Sequence, residues 1–376
     1  MLDFLILMED YRRSYSSLIL RSPDMHHLPY EKMSEWLFSQ FIYYGDSYKH
    51  ALASEGFSAE QIVPDCEFLQ AKWAVENGMR LPSSWLYRKP FSWAARVFPP
   101  LRQENIKFSV VTQQIRKMRP KIVWVFSGSM QPSPEIIAEW RRYSDKIILW
   151  WACPLVAGFP YNSFDMIFSG IPRLVDYFKS AGARAIHMSH SFDPRVLKYF
   201  LAGSERAKKV VFLGSLSKWH KERAELLEYL CEHVDIDFYG DSLYKIPGNN
   251  PHAKFCPDAW GRDLYSIYDS YLITIHKNID IAKNEISAKR LFEATGMGIC
   301  VVAEVSEEIS EFFQPGREIV TYSTKEECLE KIRHLLMNSQ EAVKIGKAAQ
   351  ERTLRSHTYA HNVKKMVSHL RESKLI

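Results

Sequence analysis

The sequence predicts an α/β protein of two domains, each built on its own parallel sheet. Three observations predict it. At 376 residues the chain is longer than one hydrophobic core ordinarily organises and comfortable for two. Short β-rich apolar runs alternate with stretches of helical spacing, the pattern of parallel α/β layers. The alternation stops at the polar stretch Ala202–Lys208 (AGSERAK) and then begins again. That stretch reads as a linker between domains of similar size, residues 1–203 and 209–376.

The elements follow in order. Phe4–Leu7 is a first buried strand, and helical spacing covers Tyr30–Ile42, Ser47–Ser54 (stopped by Gly56) and Phe68–Val75. Val110–Met118 is a helix ended by Pro120, and Ile122–Phe126 is a buried strand. Helix Glu135–Arg142, strands Ile147–Trp151 and Met166–Phe168, helix Arg173–Ala181 and strand Ala185–His187 complete the first half. After the linker come strand Val210–Leu213, helix Glu222–Cys231 and strand Ile236–Tyr239, closed by Gly240. Strand Tyr271–His276, helix Ser287–Thr295 and strand Ile299–Val302 follow. Helical patterns over Lys325–Leu336 and from Glu341 to about Leu370 end the chain. Trp150 and Trp151 read as core.

Composition narrows the class. Apolar residues make up 46% and charged residues 25%, the balance of a soluble globular chain and not of a disordered or fibrous one. The opening MLDFLILMEDYRRS carries a short apolar run broken by Asp3 and reads as a strand, not a signal peptide. No stretch approaches the roughly 20 apolar residues that span a bilayer. Six scattered cysteines without CxxC spacing read as reduced core residues of a cytoplasmic protein. The net charge of +5 lies in the first half: residues 1–203 hold 24 Lys and Arg against 19 Asp and Glu. No compact basic cluster accompanies the excess, so nucleic acid is not the expected partner. An anionic acceptor, a peripheral membrane surface and a simple solvated basic face all fit it. Arg80–Arg102 (RLPSSWLYRKPFSWAARVFPPLR) lacks a period and is dense in aromatics and arginine. It suits a loop that touches an amphipathic acceptor or membrane interface, or one that packs on its own domain.

The most informative chemistry lies in Asn284–Gly298, NEISAKRLFEATGMG. A helix opening here, with Asn284 or Ser287 as cap and Gly296 as stop, offers unpaired N–H groups and a positive dipole end to a diphosphate. Lys289 and Arg290 add cationic donors in the first turns. They oppose the dipole until an anion is bound. Glu285 and Glu293 would stand about 12 Å apart along a helix, a span suited to the two ends of a nucleotide sugar, whose hydroxyls ionised carboxylates accept well. By spacing alone, a solvated helix with two chance glutamates explains the pattern too. A second anion candidate follows strand Val210–Leu213: Gly214 and Ser215 allow close backbone approach, with Lys218 and Arg223 in reach of phosphate oxygens. Both segments lie at carboxyl ends of strands, where open α/β sheets bind ligands. Asp46, Ser127 and Gly128 sit at strand or helix ends as acceptor-side candidates or as ordinary caps and turns. His187 and His190 are weaker candidates for a general base.

Several segments together resemble the CgeB-like glycosyltransferases of GT-B fold, within the group 1-like glycosyl transferases. They are GSLSKWHKER, YLITIHKNID, EISAKRLFEATGMGICVVAEVSEEISEFFQPGREIVTY and HTYAHNVKKMV, joined in the first half by DSYKHALASEGFSAEQIV, QQIRKMRPKIVWVF and YNSFDMIFSGIPRLVDYFKSAGARAIHMSHSFDPRVL. The likeness spans roughly residues 40–365, and its sharpest part is R-x-F-E at Arg290–Glu293 followed by Gly296. It implies two Rossmann-like domains facing across a cleft, the acceptor in the first, the nucleotide-sugar donor in the second, and the last helix returning to the first. It implies that Glu293 holds the ribose, that Arg290 and Lys218 neutralise the diphosphate, and that Glu285 lies near the transferred sugar in a retaining reaction. Ile286-Ser287 depart from the Phe-Gly that follows the first glutamate in E-x7-E enzymes. The expected acceptor is a glycan, a lipid-linked group or a protein. No metal and no cofactor are implied, the leaving group being met by protein cations and helix dipoles. A nucleotide-sugar epimerase of the same fold and a non-catalytic nucleotide-sugar or glycan-binding module remain the alternatives.

Overall fold

A computed structural model describes residues 1–9, 12–42, 44–80, 101–126, 130–200, 205–214, 216, 220–240, 250, 252–278 and 289–376, with the backbone alone at 12, 13, 26 and 101–106. These residues form two compact units. The first holds Met1–Ser169, Arg173–His187 and Met366–Ile376; the second holds Gly170–Pro172 and Met188–Lys365.

The strands of the first unit are β1 (Phe4–Met8), β2 (Ala59–Ile62), β3 (Ile122–Phe126), β4 (Lys146–Trp150), β5 (Met166–Ser169) and β6 (Ala185–His187). They form one parallel sheet in the order β2-β1-β3-β4-β5-β6. Its central strands are unbroken apolar runs because both faces are covered. One face packs Leu5, Leu7, Val123, Val125, Ile147 and Leu149 into the main core. The other carries Trp124, Phe126 and Trp150, with Phe126 and Trp150 stacked at 4.9 Å and Tyr44 and Tyr48 edge-on or tilted against them. The helices of this half are α1 (Arg12–Arg21), α2 (Tyr30–Ser39), α3 (Ser47–Ser54), α4 (Glu67–Glu76), α5 (Leu101–Met118), α6 (Pro134–Trp140) and α7 (Pro172–Ser180). Helix α5 starts nine residues before the helix read from Val110, and α1 was not legible in the sequence at all.

The second unit repeats the plan with β7 (Ala207–Leu213), β8 (Ile236–Tyr239), β9 (Ala253–Cys256), β10 (Tyr271–His276), β11 (Cys300–Glu304) and β12 (Val320–Tyr322). These are parallel in the order β12-β11-β10-β7-β8-β9. Its helices are α8 (Lys221–Cys231), α9 (Arg262–Ser270), α10 (Lys289–Gly296), α11 (Glu307–Phe312), α12 (Lys325–Met337), α13 (Ser339–Ser356) and α14 (Tyr359–Glu372). Local chemistry starts two of them. Ser306 caps α11 through Ile309 N–H at 3.2 Å. Thr324 caps α12 through Glu327 N–H at 3.1 Å, while the Glu327 carboxylate accepts from the N–H of Ser323, the residue before the cap, at 2.7 Å.

Two differences from the sequence reading have a common cause. The single helical pattern from Glu341 to Leu370 is two helices, broken at His357 and Thr358. There Phe192 donates its N–H to His357 O at 2.9 Å and forms a parallel bridge with Thr358. Asn362 Nδ2 adds a bond to Ser189 O at 2.5 Å. The segment around Phe192 is thereby tied into the second unit, so the chain changes unit after His187, well before the polar stretch at Ala202. The carboxyl half of α14 belongs to the first unit, where Arg184 Nη1 donates to Ser373 O at 3.3 Å and Arg371 lies over the Phe57 ring.

The basic excess of the first half has a local account. Arg116 and Lys117 occupy the last turn of α5, and Arg119, Lys121, Arg141, Arg142 and Lys146 sit where helices end and strands begin. Cations there complement helix dipoles, and several are paired, as Lys121 with Asp3 and Arg141 with Asp165. This is the sheet end opposite the carboxyl ends of the strands. All six cysteines are free thiols, and burial pushes Cys231, Cys300 and Cys328 up to about 12. Among the described residues no helix is long and apolar enough to cross a membrane.

Candidate donor site in the second unit

The strand order fixes where a ligand belongs. From β7 the chain moves outward through β8 and β9, then returns to the other side of β7 as β10. The crevice outside the carboxyl ends of β7 and β10 is therefore the topological switch point of the second sheet, the place where open α/β sheets take ligands.

Gly214 follows β7 at this point, and its carbonyl lies where a Cβ on Gly240 would stand, so the two chain turns after β7 and β8 meet as bare backbone. Arg223, in the first turn of α8, bridges the crevice. Its Nε and Nη2 donate to Lys277 O at 3.2 and 2.7 Å, and its guanidinium carbon lies 5.8 Å from the Phe212 ring centre. Lys277 follows β10; its Nζ reaches Glu304 at 2.6 Å and Glu222 at 3.2 Å. His276 beside it bonds Asn278 at 3.2 Å. Burial, reinforced by the Arg223 charge, lowers its pKa to about 4, so the ring is neutral at physiological pH.

Helix α10 supplies the second cluster. Residues three and four apart share a helix face, so Lys289, Arg290 and Glu293 converge. Lys289 Nζ donates to Glu293 Oε1 at 2.5 Å and Arg290 Nη1 to Oε2 at 2.6 Å. Tyr265 of α9 adds a third donor to Oε1 at 3.3 Å. Phe292 points the other way, into Phe312, Phe313 and His357, which is the structural content of the R-x-F-E spacing. Gly296 leaves room for the Phe192 ring, which a Cβ would strike. Burial alone would raise the Glu293 carboxyl, but the charges and hydrogen bonds of Lys289 and Arg290 bring it down to about 2. Tyr265 and Tyr268 are raised, first by burial; both stay protonated, and Tyr265 can only donate to the carboxylate.

The side chains differ in reach. Glu293 is 2% and Lys289 6% exposed, while Arg290 is 29% exposed. Of the two cations expected to face an anion, only Arg290 extends outward; Lys289 is turned in on Glu293. Glu293 itself already accepts two donors on Oε1 and one on Oε2. A carboxylate has about four acceptor positions, so its spare capacity lies on Oε2.

The structure thus describes Gly214, Arg223, Lys289, Arg290 and Glu293, with the first two at the switch point and the other three gathered on α10. Ser215, Lys218 and Glu285 lie outside the described residues, as do Ser127, Gly128 and all but the ends of the Arg80–Arg102 segment. Asp46 is described and belongs to the first unit. It occupies the cap position of α3 without a side-chain cap bond, and its carboxylate meets His50 at 2.9 Å. Among the described residues no group of three or more His, Cys, Asp or Glu gathers in metal-binding geometry. Sequence reasoning missed Tyr265 and Lys277, whose roles depend on the packing of α9 and on the chain return at β10. It also missed Glu9, buried after β1 and paired with Lys107 at 2.7 Å.

Comparison with known proteins identifies the fold. Residues 216–368 match the family described as glycosyl transferase-like. Three solved structures cover 99% of the chain. A glycosyltransferase from Rickettsia africae has TM-score 0.58 and 12% identity over 98% of its own chain. The Anabaena protein HepE in complex with UDP and glucose has TM-score 0.55 and 12% identity over its whole chain. Sucrose-phosphate synthase from Thermosynechococcus elongatus has TM-score 0.56 and 10% identity over 99% of its chain. The fold is GT-B. In a GT-B protein two parallel α/β units are the expected architecture, and both six-stranded sheets found here conform to it. A search of curated proteins finds no match.

Proposed function

We propose that this GT-B protein is a glycosyltransferase that takes its sugar from a nucleotide-diphosphate sugar bound at the carboxyl edge of the second sheet. The observation that carries the reading is the Lys289–Arg290–Glu293 cluster, which sets two cations on one carboxylate of α10. It falls inside the segment that matches the glycosyl transferase-like family. Arg290 meets the diphosphate, joined by Lys218 and by Arg223 at the switch point. The open side of Glu293 Oε2 accepts a ribose hydroxyl. Positive groups placed in advance where the leaving diphosphate gathers charge lower the barrier without reorganisation during the reaction.

The finer assignments rest on sequence alone. The seven residues between Glu285 and Glu293 place Glu285 near the transferred sugar and favour retention of configuration. The acceptor, a glycan, a lipid-linked group or a protein, is assigned to the first unit, and a peripheral membrane contact accompanies it. Neighbours whose structures hold UDP and glucose or UDP-glucose make UDP-sugars the first donors to try. The test is incubation with a panel of nucleotide sugars and cell-derived acceptors, followed by mass spectrometry. A sugar increment on an acceptor, with stoichiometric release of nucleoside diphosphate, is expected. Conversion of the donor alone identifies an epimerase, and binding without turnover a carbohydrate-recognition module; either overturns the proposal.

A further inference from the structure

We infer that Lys289 is a positioning residue. Its ammonium, turned inward on Glu293, holds that carboxylate against Arg290 and leaves Arg290 as the cation of α10 that meets the anion. The inference rests on the donor reading above and divides the labour inside it, since charge and position in sequence give Lys289 and Arg290 the same role.

Three observations support the division. The first is exposure: Lys289 is as enclosed as the carboxylate it touches, whereas Arg290 reaches outward. The second is that helix physics does not explain the arrangement. Lysine N-terminal to glutamate at a four-residue spacing is the weaker orientation of that pair. Something other than helix stability is served by turning Lys289 inward. The third is how the surrounding elements meet the triad. Tyr265 donates to the same oxygen as Lys289, Tyr268 lies near Arg290, and Asp193 is close enough to Tyr265 to be felt electrostatically. Asp193 is itself clamped by Arg195 at 2.6 Å. With a buried, low-pKa carboxylate between them, the two cations do not act alike: one fixes Glu293, and Glu293 in turn fixes the plane of the other. A guanidinium oriented in this way meets a phosphate with a defined fork, which a flexible ammonium does not.

The experiment uses the full chain and the variants Lys289→Met, Lys289→Arg and Arg290→Met. Without ligand, hydrogen exchange read on peptides of the second unit follows local stability from pH 7 to pH 3. Lys289→Met is expected to move the acid-induced loss of protection around α10 upward by at least one pH unit, because Glu293 then keeps one cation in a buried place. Lys289→Arg restores the wild-type profile. With ligand, calorimetry compares UDP, GDP and ADP with the matching nucleosides. Arg290→Met should weaken the diphosphate about tenfold or more already at pH 7, where Glu293 stays ionised on Lys289, and the nucleoside little at that pH. Lys289→Met should weaken nucleoside and diphosphate together, by a factor that grows as pH falls, with Lys289→Arg near wild type. A Lys289→Met loss confined to the diphosphate and independent of pH would make Lys289 a phosphate ligand and overturn the inference. So would an unchanged acid profile in the ligand-free arm. If wild type binds none of the diphosphates, the donor reading fails, and the ligand-free arm still decides whether Lys289 holds Glu293.

Discussion

Replacing Glu293 with glutamine tests the centre of the site, because it changes charge and almost nothing else. In the native protein the carboxylate lies 2% exposed between Lys289 and Arg290. The amide cannot balance them, and its NH₂ group turns a donor toward one of the cations. Removing one partner from a buried ionic cluster costs about 3–5 kcal/mol. A second route gives a similar size. A carboxyl lowered from 4.5 to about 2 is worth roughly 3 kcal/mol of native stability, at about 1.36 kcal/mol for each pKa unit. Because the folded-state pKa lies below the ordinary one, the contribution is complete above pH 4.5 and fades as pH falls toward 2. Two units need not unfold together, so the readout is urea-dependent hydrogen exchange on peptides from the second unit. Glu293→Gln should lower their stability by about 3 kcal/mol at pH 7, and the gap to wild type should narrow below pH 4. A variant as stable as wild type at pH 7, or a gap that ignores pH, would refute the electrostatic account of the cluster.

Other outcomes follow from the same geometry. Gly346→Ala places a Cβ against the Gly298 carbonyl; backbone cannot yield as a side chain does, so a loss of about 1–3 kcal/mol is expected and a thermal melt suffices to see it. Gly296→Ala drives a methyl into the Phe192 ring and should cost a similar amount, part of which Phe192→Leu recovers in the double variant. His276 and His357 are both held to about 4, in each case chiefly by burial. The unfolded chain takes up their protons first, so each removes stability as pH drops from 6.5 toward 4, by up to about 1.4 kcal/mol per pH unit. Urea midpoints between pH 7.5 and pH 4.5 should fall accordingly, and His357→Gln should flatten the curve. Arg223→Ala cuts the tie to Lys277 O across the crevice; Kd for UDP should rise about tenfold or more by calorimetry, and an unchanged Kd would remove Arg223 from the donor site.

The sequence by itself determined the architecture and the most useful helix. The strand Ile122–Phe126 was legible to the residue because a continuous apolar run bounded by polar or turn residues has one cheap solution, burial in a parallel sheet. The R-x-F-E spacing likewise put Arg290 and Glu293 on one face and Phe292 on another, since 3.6 residues per turn allow nothing else. The edge strands of the second sheet escaped. Strand β9, AKFC, has exposed or half-buried positions throughout and no apolar signature, and β12 is three residues long. Tertiary structure alone decided the rest. The break at His357 arises because Phe192, far earlier in the chain, pairs there. Arg223 has a partner only because the chain returns beside β7, bringing Lys277 to it. The difference between Lys289 and Arg290, equal in charge and adjacent in sequence, is one of burial. Periodicity reports which face a side chain shares, whereas burial depends on what is packed upon that face, and distant segments supply it.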